Sequence, residues 1–335
     1  MLSIASTVQS THVQLIALYA TVFCAGIARG FAEPAVSAFE AQLVPWESLV
    51  RSSALMASCW LTGATIGPLI GGLVFQFCGA DITFACIAVL YGLAWWSVIG
   101  IQPRPAPEPK VGESVWQSVA IGVRYVWRDQ VILGSMALDL FAVLFGGAIA
   151  LLPVFAKDVL HVGSVGLGAL NAAPTLGALL TMLWCSRHPP VKHAGRTLLT
   201  AVGLFGVTMI VFALSTSFWL SLVALFFSGV LDGVSVVIRR AILRLMSPDH
   251  LRGRIAAVGM IFIGSSNELG ALESGLAAKA LGTVPSVWAG GIVTLIVVGL
   301  ATMLAPRLRS LSLDQRQARK CDDEVDPLKT EGVTD

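Results

Sequence analysis

Leu61-Thr62-Gly63-Ala64-Thr65-Ile66-Gly67-Pro68-Leu69-Ile70-Gly71-Gly72 lies inside an apolar run from about Ser52 to Phe77. A run of that length can cross a bilayer as a helix. Gly63, Gly67 and Gly71 fall four apart, so on a helix they share one face, and Gly72 widens it. A face without side chains lets two membrane helices meet backbone to backbone. Pro68 removes a backbone donor and bends the helix, at a cost that neighbouring helices in a membrane offset. The stretch therefore reads as the packing face of a transmembrane helix.

The whole chain agrees. Hydrophobic residues make up 56% of its 335 residues and charged ones 13%, with a mean hydropathy of +0.79. An ordinary soluble domain carries roughly 25% charge, so this is a polytopic, all-α membrane protein. Met1 to Gln14 holds no Lys or Arg and lacks the basic start of a signal peptide. Cys24, Cys59, Cys78, Cys86 and Cys185 lie in or beside apolar runs and Cys321 lies in the polar tail, so they read as small buried hydrophobes. No G-x-x-x-x-G-K-[ST] and no H-E-x-x-H occurs, which leaves ATP or zinc hydrolysis without a foothold. His188 and His193 stand five apart in a Pro-rich loop with no carboxylate or Cys beside them. Neither an enzyme, a metal, a cofactor nor a nucleic-acid partner is expected.

Apolar segments predict nine transmembrane helices, at about 13–39, 52–77, 82–101, 131–156, 165–185, 197–216, 218–242, 255–280 and 284–305. All but three of the 22 lysines and arginines fall on one side of the resulting alternation. The exceptions are Lys157 and Lys279 on the other side, and Arg29 within the first helix. Basic residues mark the cytoplasmic side, so the C-terminus is expected inside and the N-terminus outside. Trp95, Trp96, Trp184, Trp219 and Trp288 sit near predicted helix ends, as interfacial anchors do. Pro103, Pro105, Pro107 and Pro109 open a linker over 102–130. Val115, Val119, Val123 and Val126 then recur at helical spacing, which predicts an amphipathic helix on the cytoplasmic surface. After Pro306 the chain is polar, mixed in charge and expected to be disordered.

An offset of 203 residues aligns the chain with itself. Phe23 meets Phe226, Gly26 meets Gly229 and Gly30 meets Gly233. Arg51 meets Arg254, Gly67 meets Gly270 and Gly72 meets Gly275. These are helix-packing glycines and members of one cytoplasmic turn, which predicts two bundles related by a parallel repeat. The predicted units are a partial N-terminal bundle over 1–101, the linker 102–130, a six-helix bundle over 131–305 and the tail 306–335. The second bundle opens with three helices that have no counterpart in the first. Twelve helices are therefore expected of the parent architecture, with Met1 an internal methionine or the product of a shortened gene.

The motif around Gly63–Gly72, G-x-x-x-G-P-x-x-G-G, resembles the fifth-helix motif of exporters in the major facilitator superfamily. Leu151-Leu152-Pro153-Val154-Phe155-Ala156-Lys157-Asp158-Val159-Leu160 is similar to the end of the seventh helix in exporters related to the enterobactin exporter, the transmembrane secretion effector group. Gly229-Val230-Leu231-Asp232-Gly233, Arg239 and Ser247-Pro248-Asp249-His250-Leu251-Arg252-Gly253-Arg254 resemble that group's tenth helix and following loop. Asn267-Glu268-Leu269-Gly270 with Glu273-Ser274-Gly275 is similar to its eleventh helix. The resemblance covers nearly all of Leu15 to Pro306. It implies a major facilitator fold in a bacterial inner membrane, moving siderophores or drug-like molecules outward by alternating access. It also implies a proton gradient as energy source, with the lipid bilayer and a small-molecule substrate as partners. Two rival readings are a shortened, transport-inactive membrane protein and a membrane-embedded binding or scaffold protein. The loop Ser186–His193 keeps the group's positive charge but has no carboxylate.

A charge at a helix centre costs about 2.5–3.5 kcal/mol on insertion scales, so each one calls for a reason. Arg29 and Glu33 lie four apart and can pair along one face. Asp232 takes the repeat position of Arg29, Glu268 that of Thr65, and Asp139 lies in the first helix of the second half. Asp232, Glu268 and, less directly, Asp139 are candidates to take up and release a proton. Arg29 is a candidate partner for a substrate anion or a carboxylate. The static alternative pairs Arg29 with Glu33 and Asp232 with Arg239, and leaves Glu268 and Glu273 in water. Arg252, Gly253 and Arg254 form a cytoplasmic loop with either a structural or a gating role.

Overall fold

The computed structural model describes residues 16–28, 30, 49–100, 115–146, 148–188, 192–247 and 252–313, all helical or in connections between helices. Contacts divide the chain into two compact units, Met1–Pro109 and Lys110–Asp335. Six helices among the described residues are long and apolar enough to cross a membrane, against nine predicted. The difference has three sources. Of the predicted span 13–39, the described helix α1 covers Ile16–Ala28. The segments 52–77 and 82–101 are two helices that meet at a kink with no loop between them and so make one continuous stretch, α2, Leu49–Ile99. The segment 255–280 lies in a helix that is not among the six.

In the first unit, α2 runs for 51 residues, ~77 Å at 1.5 Å per residue, far more than one bilayer core of about 30 Å. It is interrupted at Gly79, whose φ of 80° and ψ of 177° are non-helical. Such a φ is open to glycine and costly for any side chain, so Gly79 separates the two predicted spans. The Thr83 hydroxyl donates to the Gly79 carbonyl at 2.7 Å, satisfying an acceptor beside the break. Pro68 sits within the helix without ending it. Around Gly63, Gly67 and Gly71 no described group stands within 4 Å of where a Cβ would lie. The helix partner that this face predicts is absent from the described residues.

The second unit is a bundle. Helix α3 (Val115–Arg128) leads into α4 (Gln130–Gly146), followed by α5 (Ser164–Arg187), α6 (Ala194–Leu214) and α7 (Phe218–Met246). Then come α8 (Arg252–Leu281), α9 (Thr283–Leu304) and the single turn α10 (Pro306–Arg309). Helix α7 packs on α5 and α6, α9 on α6 and α4, and α4 on α8. Asp129 caps α4: its Oδ1 accepts from the backbone N–H groups of Val131 and Ile132 at 2.9 and 3.0 Å. Large apolar side chains such as Leu183, Leu204, Val211, Leu220, Phe227 and Ile296 are exposed. So many outward apolar groups suit a lipid surround, not water. The same medium corrects the reading of the cysteines. Of the five described ones only Cys185 is buried; Cys24, Cys59, Cys78 and Cys86 are exposed on apolar helices.

Two further corrections follow from local backbone chemistry. The predicted span 131–156 is not one regular helix. Helix α4 stops at Gly146, and the chain continues through a 3₁₀ turn (Ala148–Leu151), one α turn (Leu152–Val154) and a π turn (Phe155–Val159). Pro153 has no N–H to donate, and glycine at the helix end lowers the cost of leaving the α register. Phe155 anchors the π turn against Phe212, with ring centroids 4.7 Å apart. The expected disorder after Pro306 does not hold for 306–313. Leu308, Leu311 and Leu313 are buried, and the Gly195 N–H donates to the Leu311 carbonyl at 3.2 Å. A Cβ on Gly195 would overlap the Leu308 carbonyl. The apolar spacing of these leucines, hidden among polar neighbours, is what packs. Residues 314–335 lie outside the described residues.

His161 follows the π turn with φ of 51°, a left-handed conformation that costs L-residues roughly 1–2 kcal/mol. Its Nδ1 meets the Lys157 carbonyl at 3.0 Å, a local bond that holds it there. His161→Val is expected to lower stability by about 1–2 kcal/mol and His161→Gly to preserve it, as read from thermal unfolding of the detergent-solubilised protein.

Candidate functional site

The second unit has two apolar clusters. One gathers Val126, Ile132, Leu138, Leu198, Ile242, Ile255 and Leu308. The other gathers Leu152, Phe155, Leu170, Phe212 and Leu225. Buried hydroxyls in the helices return their protons to their own backbone, as Ser135 does to Ile132 (2.9 Å) and Ser228 to Leu225 (2.7 Å). The ionised groups have no such local outlet.

On α7, Asp232, Ser235 and Arg239 stand at positions i, i+3 and i+7, one face over two turns. Side chains on a helix lean toward its N-terminus, so Arg239 reaches back along that face. Its Nη1 pairs with Oδ1 of Asp139 on α4. Its Nη2 lies 3.7 Å from Oδ1 of Asp232, close enough to attract but too far for a hydrogen bond. The side chains of Asp139 and Arg239 are each 11% exposed, that of Asp232 48%. The three groups therefore form one buried interhelix pair with a second, more exposed carboxylate beside it. Beside the two carboxylates lies a cavity of about 20 Å³ lined by Asp139, Val202, Phe205, Asp232 and Ser235, among others, the volume of one water molecule.

Of the candidates read from the sequence, the fold brings Asp139 and Asp232 together and leaves Glu268 exposed on α8, apart from them. Glu273 is half-buried on α8. Arg29 and Glu33 lie outside the described residues. Arg252, Gly253 and Arg254 do not form a loop: they are the first turn of α8. Nothing in them stops a helix, and the proline of that connection stands four residues earlier, at Pro248. Arg239 is the residue whose reach the sequence reading missed. It was grouped with cytoplasmic basic residues and matched only to Asp232 on its own helix. The usable signal was Asp139 itself, a carboxylate in an apolar helix that requires a cation.

The α4–α7 ion network, the apolar exterior and the chain of long helices define a multi-pass helical membrane protein with a charged centre. The sequence fits the family described as transmembrane secretion effector over residues 1–329. The chain belongs to that family, a branch of the major facilitator superfamily. It is 27% identical over 271 residues to "Multidrug efflux pump Tap" of Mycolicibacterium fortuitum, covering 79% of this chain and 66% of that protein. The Tap pump of Mycobacterium tuberculosis (strain ATCC 25618 / H37Rv) is 26% identical over 257 residues, 74% of this chain and 60% of the pump. "Enterobactin exporter EntS" of Shigella boydii is 25% identical over 299 residues, 88% of this chain and 70% of the exporter. The chain thus aligns with under two thirds of the length of the Tap pumps.

Proposed function

We propose that this chain exports small organic molecules, drug-like or siderophore-like, across a bacterial inner membrane by alternating access, driven by the proton gradient. Family membership and the named activities of the Tap and EntS relatives support the class of activity. The observation that carries the coupling is the Asp139–Arg239–Asp232 group inside an apolar bundle. Three ionised side chains there cost more than an apolar core would, and intramembrane ionisable residues ordinarily mark substrate or proton paths. Asp232, the more exposed carboxylate, takes up and releases the proton, with Glu268 as the second candidate. In this reading nine helices form two bundles related by the 203-residue repeat, and the C-terminus faces the cytoplasm. The units are the partial bundle 1–101, the linker 102–130 with its amphipathic helix, and the bundle 131–305.

Energised membrane vesicles test the proposal. Uptake of a fluorescent efflux dye or of a catecholate into inverted vesicles holding this chain is expected to require a pH gradient and to collapse with a protonophore. Asp232→Asn is expected to abolish the gradient-driven component, a loss of tenfold or more for a group directly in the proton step. Gradient-driven uptake that survives in both Asp232→Asn and Glu268→Gln would place the coupling elsewhere.

A further inference from the structure

Asp139, Asp232 and Arg239 carry two negative charges and one positive, so the group lacks one positive charge. Next along α7, exposed Arg240 adds its positive field to Asp232 and Arg239 without lining the cavity. Helices α5 and α6 bring cations only at one end of each, at Arg187 and Arg196, while α8 carries Arg252 and Arg254 in its first turn, Glu268 and Glu273 along its length and Lys279 in its last turn. A net charge in a low-dielectric interior is costly, and one proton removes it. Two arrangements follow. In the first the proton is bound: Arg239 pairs with Asp139 and the proton sits on Asp232. In the second the proton has left for the medium, and ionised Asp232 draws Arg239 away from Asp139.

The two arrangements differ mechanically. Asp139 is on α4 and Arg239 on α7, so the first ties two helices together. Asp232 and Arg239 share α7, so the second is internal to one helix and ties nothing. The Asp139–Arg239 pair is the one formed, with Asp232 waiting 3.7 Å away. A charged N–H···O bond needs about 2.7–2.9 Å, so a turn of the Arg239 side chain by about 1 Å is enough to change partners. Both carboxylates line the same small cavity.

Resting on the export reading above, we infer that Arg239 is the positioning residue that converts proton occupancy of Asp232 into the separation of α4 and α7. With Asp232 protonated, Arg239 belongs to Asp139 and the two helices are clamped. With Asp232 ionised, the guanidinium is drawn back along α7 and the clamp opens. The step releases one proton from the Asp232 carboxyl to the medium, breaks the Arg239–Asp139 pair and forms the Arg239–Asp232 pair.

The test is the α4–α7 distance as a function of pH, in the full chain in lipid nanodiscs. Spin labels go at the exposed positions Phe141 and Phe227, in a background without native cysteines. The wild-type distance is expected to lengthen as pH rises. Asp232→Asn, which keeps Arg239 and Asp139 intact, is expected to hold the short distance at every pH, and Arg239→Gln to lose the pH response. A response that persists in Asp232→Asn, or a wild-type distance that never changes, overturns the inference. The vesicle assay separates this from the export reading. Proton-driven uptake with a constant distance removes the clamp alone. A pH-dependent distance abolished by Asp232→Asn, without uptake, leaves the clamp and removes export.

Discussion

The double variant Asp139→Asn/Asp232→Asn is expected to lose about 3–5 kcal/mol of stability, the cost of leaving a buried charge without a counter-ion. Each single variant is expected to lose much less. Arg239 has its two carboxylates within reach of one side-chain rotation: one already paired, the other at 3.7 Å. Removing Asp139 therefore sends the guanidinium to Asp232, and removing Asp232 leaves the existing pair alone. Only the double variant strands the cation. Restoring an apolar interior by adding Arg239→Met is expected to return most of the loss, since replacing a buried ion group with apolar side chains is often neutral or better. Unfolding of the detergent-solubilised protein, by heat or by titrated denaturing detergent, measures all four variants. Additive single losses, or a full loss in Asp139→Asn alone, would mean that Asp232 is no second home for Arg239.

That non-additivity is invisible in the linear sequence, and it marks where sequence reading reaches its limit. The helices of the second unit were legible because each carries some twenty apolar residues between basic connections, and the amphipathic stretch over Val115–Arg128 was legible from its valine spacing. What was lost lay where the signal is local and weak. The break between 77 and 82 was legible, and Gly79 makes it, but Pro153 loosens the end of a span that hydropathy counts as continuous, and three leucines beyond Pro306 hide in a polar tail. The charged residues were equally legible one at a time, because an ion in an apolar run stands out against its neighbours. Their pairing was not. Arg239 to Asp139 crosses from one helix to another, and nothing in the spacing of either helix encodes that choice. Glycines behave the same way. Gly229 and Gly233 stood out through the internal repeat, whereas Gly177, their counterpart on α5, carries no mark in the sequence.

Gly229→Leu is expected to prevent α5 and α7 from assembling. A Cβ on Gly229 would overlap the Pro174 carbonyl, and one on Gly177 the Phe226 carbonyl. Both obstacles are main chain, so no rotamer change relieves them. Thr181 crosses the same seam, donating to the Val230 carbonyl at 3.2 Å, as closely packed membrane helices do. Even Gly229→Ala requires the helices to move apart, an overpacking cost of about 1–3 kcal/mol; leucine adds three more carbons to the same place. Gly275→Ala on α8 is the control, because no described group lies within 4 Å of its Cβ position and alanine favours a helix over glycine. The same unfolding assay should order the variants as Gly275→Ala, Gly229→Ala, then Gly229→Leu, the last yielding no folded protein. Equal stability of the two alanine variants would mean that the seam yields. A seam that does not yield fixes α7 to α5 through their backbones, whereas α7 meets α4 through a side-chain ion pair. Any movement driven from Arg239 must then be taken up by α4.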